Sequence, residues 1–244
     1  MSEDQWSAVD AYFESRLLGP DPVLEACLQA SVAAQLPPIQ VSPTQGKLLH
    51  LLARSVSARR ILEVGTLGGY STTWLARALP EGGRVITLEL EARHAEVARA
   101  NLERAGLASR VEIRLGRAIE TLPKLAEEGA GPFDFVFIDA DKPSTRAYFE
   151  WALKLVRPGA LIVVDNVVRK GELANASSKD ANVRGMREFV DWLSKERNVR
   201  ATGIQTVGAK GYDGFVIAWV AAGTDRAAKG ADSAPASRPR HRAA

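Results

Sequence analysis

The sequence predicts an α/β fold: a doubly wound, mostly parallel seven-stranded sheet with the last strand antiparallel. Between residues 60 and 164, five short runs rich in Val, Ile, Leu and Phe alternate with segments of helical spacing. Nearly continuous apolar runs are typical of parallel strands covered on both faces, and their alternation with helices indicates a doubly wound sheet. Two further runs are separated by only six turn-forming residues, which is too short for a helical crossover and predicts an antiparallel pair.

Each element has a local signal in the chain. The predicted strands are Arg60–Val64, Arg84–Leu90, Arg110–Leu115, Phe133–Ile138, Ala160–Val164, Val199–Val207 and Gly214–Val220. The predicted crossover helices are Tyr70–Leu79, Ala92–Ala105, Ala118–Glu128 and Ser144–Val156, and three helices precede the first strand, at Asp4–Leu18, Pro22–Gln35 and Thr44–Ser57. We therefore expect covering helices over residues 1–58, a core over 59–221, and a disordered basic tail rich in Ala, Arg and Pro over 222–244.

The basic charge of the chain lies in that tail. Residues 222–244 carry five Lys/Arg and two Asp/Glu, which accounts for the whole net charge of +3. A neutral body lacks the concentrated basic face that phosphate backbones require, so we expect no nucleic-acid partner. The single cysteine, Cys27, the polar N-terminus and the shortness of every apolar run predict a cytoplasmic protein without a membrane span.

The first candidate site is a glycine-rich turn between a strand and a helix, Ile61–Ser71. Glycine lets a ligand approach the backbone closely, and ligands bind at the carboxyl ends of strands in such sheets. A dinucleotide fingerprint needs glycine where this chain has Leu67 and Tyr70, which argues against NAD. Glu89 ends the second strand, where an acid can accept hydrogen bonds from two ribose hydroxyls. The pattern predicts an adenosyl cofactor without a pyrophosphate; the alternative is a tight structural turn and a surface acid.

The second candidate site lies at the ends of the fourth and fifth strands. Asp139 and Asp141 follow the fourth strand, and Asp165 and Asn166 follow the fifth. If the two strands are neighbours, Asp139, Asp165 and Asn166 converge, and such oxygen donors favour Mg²⁺, Mn²⁺ or Ca²⁺ over zinc. Lys142 lies close enough to a dication there for its pKa to fall, which makes it a candidate base. The alternatives are a helix-capping Asp and a solvated lysine.

Histidine does not fit the role of general base. His50 and His94 fall on predicted helices and His241 in the tail, so we expect none of them near a strand end. Ser–His and Cys–His mechanisms therefore have little support, and the base is expected to be Lys, Asp or Glu.

Taken in order, these motifs resemble the class I, metal-dependent O-methyltransferases, the group that contains the catechol and caffeoyl-CoA O-methyltransferases. The resemblance runs from Val41 to Val220 and rests on Leu62-Glu63-Val64-Gly65, Gly69-Tyr70-Ser71, Glu89, Gly116-Arg117-Ala118, Asp139-Ala140-Asp141-Lys142 and Asp165-Asn166. It implies a Rossmann-like methyltransferase fold, S-adenosyl-L-methionine (SAM) as cofactor, a divalent cation with Mg²⁺ first, and a homodimer.

The resemblance also assigns roles to individual positions. For the cofactor it implies contacts from Val41, Glu63, Gly65, Thr66, Ser71, Glu89, Ala118 and Asp141. For the metal it implies Asp139, Asp165 and Asn166, and for catalysis Lys142 together with Asp139.

The expected reaction is methylation of one hydroxyl of a catechol-like or hydroxycinnamoyl-type small molecule held on the cation. Alternatives are a metal-independent methyltransferase of RNA or protein, a nicotinamide-dependent dehydrogenase, and a binding protein without turnover. Many members of the family carry Trp after the Asp-Asn motif, where this chain has Arg169-Lys170, which raises the hypothesis of an acidic acceptor. The polar segment Val167–Val183 is the candidate lid.

Overall fold

The computed structural model describes residues 2–222, so the predicted tail lies, except for Ala222, outside the described residues. Seven strands form one sheet in the order β3-β2-β1-β4-β5-β7-β6. Their bounds are β1 Arg60–Val64, β2 Arg84–Glu89, β3 Val111–Leu115, β4 Phe133–Ile138, β5 Val156–Asp165, β6 Val199–Gly208 and β7 Gly211–Val220. The first five strands are parallel, and β7 is antiparallel to both of its neighbours, β5 and β6. The predicted fold class is confirmed.

Helices cover both faces of the sheet. They are α1 Glu3–Phe13, α2 Pro22–Ala33, α3 Pro43–Ser55, α4 Tyr70–Ala78, α5 Ala92–Arg104, α6 Ala118–Glu127, α7 Thr145–Leu155 and α8 Ala181–Leu193, and a π-helical turn, Glu14–Leu18, continues α1. Along β4, Phe135 and Phe137 pack with α2–α5, whereas Val136 and Ile138 pack with α6–α8. Successive side chains of a strand point to opposite faces, so a continuous apolar strand fits two covered faces.

Two local predictions differ from the structure. The connection between β6 and β7 is a two-residue turn at Ala209-Lys210, because both strands extend until Gly208 pairs with Gly211. The predicted lid, Val167–Val183, ends inside α8, which sequence analysis missed. The side chain of Asp180 caps this helix by accepting a hydrogen bond from the backbone N–H of Asn182, 2.7 Å away.

Strand register brings three residues into one row at the carboxyl edge of the sheet. Val64 of β1 pairs with Ile138 of β4, and Ile138 pairs with Val164 of β5. The residues that follow these three are Gly65, Asp139 and Asp165. The prediction that the fourth and fifth strands are neighbours is therefore confirmed. No helix within residues 2–222 has the length and apolar character of a membrane span.

Candidate active site

A cavity of about 670 Å³ opens at the carboxyl edge of the sheet, above the ends of β1 to β5. Ten of the predicted site residues line it: Val41, Gly65, Thr66, Ser71, Glu89, Ala118, Asp139, Asp141, Lys142 and Asn166. The other two, Glu63 and Asp165, lie behind its wall, where they are 0% and 4% exposed. The two candidate sites of the sequence are thus two ends of one cavity.

The glycine-rich turn is shaped by close backbone contacts. Gly65 has φ +101°, and a Cβ at this position would lie 2.1 Å from the backbone oxygen of Asp139. Gly69 precedes α4 in the left-handed conformation, with φ +82°. The side-chain amide of Asn101 donates a 2.8 Å hydrogen bond to the carbonyl of Gly68. The turn therefore holds β4 close to β1 and needs glycine for that reason, whatever ligand it binds.

Glu89 stands at the cavity wall and organises the turn. Its Oε2 accepts hydrogen bonds from the backbone N–H groups of Thr66 and Leu67, at 3.0 and 2.8 Å. Its Oε1 accepts from the N–H of Glu91 at 2.9 Å and lies 3.3 Å from Nδ1 of His94. His94 lines the cavity too, so the expectation that no histidine lies near a strand end is wrong. The physical reason is that α5 starts three residues after β2, which brings its first turn to the same edge.

Glu63 lies beneath the turn and acts on the cavity through Ser71. Its carboxylate accepts hydrogen bonds from the hydroxyls of Ser71 at 2.7 Å, Thr72 at 2.5 Å and Thr87 at 2.7 Å. Burial raises the pKa of Glu63 to about 7, against these three hydrogen bonds, which lower it. The resemblance implied contact with the cofactor, whereas the structure places Glu63 as the partner that fixes the Ser71 hydroxyl.

At the other end of the cavity, Lys142 and Asp139 form a shielded ion pair. Lys142 Nζ lies 2.9 Å from Asp139 Oδ1, and the two side chains are 9% and 22% exposed. Both line the cavity, so the ammonium group can reach a ligand without leaving the carboxylate. A lysine held in this way is suited to transferring or shielding a proton.

Asp165 is a buried acid beside this end of the cavity. Its Oδ2 accepts a 2.7 Å hydrogen bond from the side-chain amide of Gln45, and its Oδ1 accepts a 2.8 Å bond from the backbone N–H of Asn166. Burial, and then the charge of Asp139, raise the pKa of Asp165 to about 7. Asn166 itself adopts φ +56°, in the left-handed region.

The donor set at the β4 and β5 ends fits a hard divalent cation. It offers two carboxylates, from Asp139 and Asp165, and the amide oxygen of Asn166, a combination suited to Mg²⁺ or Mn²⁺. Each carboxylate oxygen of Asp165 accepts one hydrogen bond, which leaves a second lone pair on each. Burial and, after it, repulsion from Asp139 raise the pKa of Asp165, and a bound cation would relieve that repulsion. Among the described residues no group of three or more His, Cys, Asp and Glu side chains is arranged for a metal, so Asn166 and the acceptor would have to complete the shell.

Asp141 faces the cavity between the two ends. Its Oδ1 accepts a 2.5 Å hydrogen bond from the hydroxyl of Tyr148, and its Oδ2 accepts one from the backbone N–H of Ser144 at 3.2 Å. Burial and the hydrogen bond to Asp141 raise the pKa of Tyr148 to about 12, so the phenol stays protonated and keeps donating. Asp141 is thus both a helix cap, as in the alternative interpretation, and a cavity residue.

A second, larger cavity of about 800 Å³ lies between residues 167–174, α8 and β6. Its lining is mostly apolar and includes Val168, Leu173, Val190 and Val216. None of the predicted site residues lines it, so the chemistry belongs to the smaller, more polar cavity.

Sequence analysis missed several residues of the site. Gln45, His94, Arg117, Tyr148 and Asn182 are positioned by the packing of helices against the sheet edge. For Arg117 the signal was present, since it lies inside the Gly116-Arg117-Ala118 motif. For Gln45, which is separated from its partner Asp165 by 120 residues, no local pattern pointed to the contact.

Known proteins share this fold and this site region. The sequence pattern of the O-methyltransferase family matches residues 18–215. A catechol O-methyltransferase of Mycobacterium tuberculosis is 55% identical over 212 residues, which cover 87% of this chain and 94% of that protein. An O-methyltransferase of Bacillus cereus, solved in complex with SAH, superposes with a TM-score of 0.89 at 54% identity and covers 90% of this chain and 100% of that one. The O-methyltransferase TomG of Streptomyces achromogenes, solved in complex with SAM, has a TM-score of 0.88 at 52% identity, with 91% and 100% of the two chains covered. This chain belongs to the class I, SAM-dependent O-methyltransferases of the catechol and caffeoyl-CoA type.

Proposed function

We propose that this enzyme methylates one hydroxyl of a catechol-like or hydroxycinnamoyl-type small molecule that is held on a divalent cation, Mg²⁺ in the first place. One observation carries the proposal: the pairing of β4 with β5 places Asp139, Lys142 and Asn166 on the wall of the cavity that also holds Glu89. A methyl donor at one end and an acceptor at the other would then share a single enclosed space.

The β1–β3 end of the cavity is suited to the methyl donor. Thr66 and Ser71 offer hydroxyls fixed by neighbours, since Thr66 Oγ1 lies 2.6 Å from Thr87 Oγ1 and Ser71 donates to Glu63. Glu89 offers its carboxylate for the ribose hydroxyls, as proposed from the sequence, and Ala118 leaves space beside it because its side chain is small. When bound there, SAM supplies an electrophilic methyl group on its sulfonium.

The β4–β5 end is suited to activating a hydroxyl. A bound divalent cation would lower the pKa of the acceptor hydroxyl and fix two adjacent oxygens. A neutral Lys142 amine would take the proton that the hydroxyl releases, and Asp139, 2.9 Å away, would then stabilise the ammonium group that forms. Asp165, whose Oδ2 accepts a 2.7 Å hydrogen bond from Gln45, would be the second carboxylate donor of the cation. The acceptor oxygen would attack the methyl carbon in line while the bond from that carbon to the sulfonium sulfur breaks and S-adenosylhomocysteine leaves. The protein contributes mainly orientation and a lowered pKa.

The experiment replaces Asp139 or Asp165 by Asn and measures transfer of labelled methyl from SAM to catechol with Mg²⁺. We expect each variant to lose about 100-fold or more in kcat/KM, because each removes a charged donor of the cation site. SAM affinity, measured by calorimetry, should stay within about threefold, since the methyl donor binds at the other end. Asp191→Asn, at an exposed position of α8, is the matched control. Full activity of the Asp139 and Asp165 variants would contradict the proposed site.

We also propose that the N-terminal segment, residues 1–58, closes the site over the 59–221 core. Val41 lines the cavity and Gln45 binds Asp165, and both lie in this segment. Removal of residues 1–58 should therefore abolish both SAM binding and turnover. Retention of SAM affinity by a folded core, measured by calorimetry, would contradict this role.

We further propose a homodimer that works in the cytoplasm. In support, β6 is an edge strand on which Ile204 and Val207 are 39% and 49% exposed, and it lies beside α1, where Tyr12 and Phe13 are 60% and 45% exposed. Clustered exposed apolar side chains mark contact surfaces. Light scattering should give a mass twice that of the chain, and Ile204→Glu should lower the measured mass. A monomeric wild type would refute the dimer.

The proposed cytoplasmic location is based on the composition of the sequence, and cell fractionation tests it.

A further inference from the structure

Arg169 is a polar side chain of the cavity whose bonding is incomplete. It lines the cavity together with Asn166 and Asn182, and its Nε is buried without a hydrogen-bond partner among the described residues. Buried polar groups are nearly always bonded in folded proteins, so the unsatisfied Nε marks a guanidinium that lies at the cavity wall with its hydrogen bonding incomplete. Lys170, the other basic residue of the pair noted in the sequence, is exposed and does not line the cavity.

Arg169 belongs to the acceptor end of the cavity. It follows β5 by four residues, whereas Glu89 ends β2. The order β2-β1-β4-β5 separates these ends by three strand spacings, roughly 14 Å. Glu89 and Ala118 mark the methyl-donor end, so a ligand group that meets Arg169 belongs to the acceptor if the two ends are used as proposed.

The backbone holds Arg169 in place at the expense of an unfavourable conformation. Its φ is +54°, and Lys170 and Gly171 follow with φ +56° and +89°. Asp213 clamps the segment, because its Oδ1 accepts hydrogen bonds from the backbone N–H groups of Val168 and Arg169, each at 3.0 Å. Non-glycine residues in this region are uncommon and often occur at functional sites. One of these unfavourable conformations lies at the residue that carries the guanidinium to the cavity wall.

The charges around Arg169 leave it available. Lys142 is paired with Asp139 at 2.9 Å, and Arg117, at the donor end, lies 3.5 Å from Glu120. The carboxylate of Asp213, which holds this segment, accepts hydrogen bonds from the backbone amides of the clamp. A guanidinium presents a planar fork of donors that matches a carboxylate in a two-point contact.

We propose that Arg169 is a specificity-determining residue that selects acceptors carrying a carboxylate on, or close to, the catechol ring. This inference rests on the proposed function, because it assumes that the acceptor binds at the β4–β5 end. The rival partner for Arg169 is the carboxylate of the methionine part of SAM, and the two are separable by kinetics.

The experiment compares three acceptors of different charge, 3,4-dihydroxybenzoate, catechol and dopamine, with wild type, Arg169→Gln, Arg169→Lys and Lys170→Gln. In Arg169→Gln we expect the ratio of kcat/KM for 3,4-dihydroxybenzoate to that for catechol to fall about 10- to 100-fold, the effect of losing a charged hydrogen-bond pair. Dopamine should gain relative to catechol. Arg169→Lys keeps the charge without the fork and should retain part of the preference. Lys170→Gln removes the same charge from an exposed neighbour and should leave the ratio within about twofold.

Three results would overturn the inference. The first is an unchanged ratio in Arg169→Gln, and the second is an equal change in Lys170→Gln, which would reveal a long-range charge effect only. The third is a higher KM for SAM with the acceptor ratio preserved, which would assign Arg169 to the methyl donor. A wild type that methylates none of the three acceptors would instead refute the proposed function, and this inference with it.

Discussion

Glu63 links the stability of the protein to pH in a way that can be measured. Its side chain is wholly buried, and its pKa is raised from 4.5 to about 7, chiefly because burial penalises the charged form. Between these two pH values the folded protein keeps a proton that the unfolded chain releases. The stability due to this group is therefore fully present below pH 4.5 and is lost as the pH rises through 7.

The interval between the two pKa values corresponds to about 3 kcal/mol, at 1.36 kcal/mol for each pH unit. Glu63→Gln keeps the shape of the side chain and removes its ionisation. At pH 4.5 we expect the variant and the wild type to have nearly equal free energies of unfolding. At pH 8 the free energy of unfolding of the variant should exceed that of the wild type by up to about 3 kcal/mol. Weaker hydrogen bonds to the hydroxyls of Ser71, Thr72 and Thr87 reduce that gain.

The assay is urea unfolding followed by tryptophan fluorescence at several pH values from 4.5 to 8. Glu127→Gln, at an exposed position at the end of α6, is the matched control and should track wild type throughout. Curves for Glu63→Gln and wild type that run parallel across this range would refute the reasoning, because the buried carboxyl group would then titrate as it does in the unfolded chain.

Three further predictions concern the cavity. Gly65→Ala should destabilise the fold by at least about 3 kcal/mol, because the new Cβ would lie 2.1 Å from a backbone oxygen. The control Gly106→Ala, with φ +68° and open space around it, should lose only about 1 kcal/mol. Equal losses of the two variants in urea unfolding would exclude the close contact at Gly65. Glu89→Gln should raise the KM for SAM about 10-fold with a smaller change in kcat, and an unaltered KM would show that this acid serves only the turn. Gln45→Leu should raise the Mg²⁺ concentration needed for half-maximal activity about 10-fold by removing the 2.7 Å hydrogen bond to Asp165; an unshifted Mg²⁺ titration would disprove that support.

The sheet and its functional edge were predictable because their signals are local. Runs such as Phe135–Ile138 are apolar at every position, which fits a strand covered on both faces. The acids that follow β4 and β5 were therefore expected at one edge of the sheet, on the condition that the two strands are neighbours, and β4 does pair with β5. The antiparallel end of the sheet followed from the short connection between Val207 and Gly214, although the turn proved tighter than the composition indicated.

Other features depend on contacts between distant parts of the chain. The support of Asp165 by Gln45 arises only when α3 packs beside the end of β5, and no spacing in the sequence encodes it. Glu63 looked like a cavity residue by its motif, yet the strand turns its side chain into the core, towards Thr87. The missed helix, α8, is a different case, because Asp180 and the apolar residues at 183, 186, 189 and 193 carried the signal.

The central claim is that the ends of β4 and β5 form a cation site beside the methyl donor. Its most direct test is methyl transfer to catechol by this enzyme before and after removal of divalent metal. We predict that excess EDTA lowers the rate by about 100-fold or more while SAM still binds, and that added Mg²⁺ restores it. An undiminished rate in excess EDTA would contradict the claim.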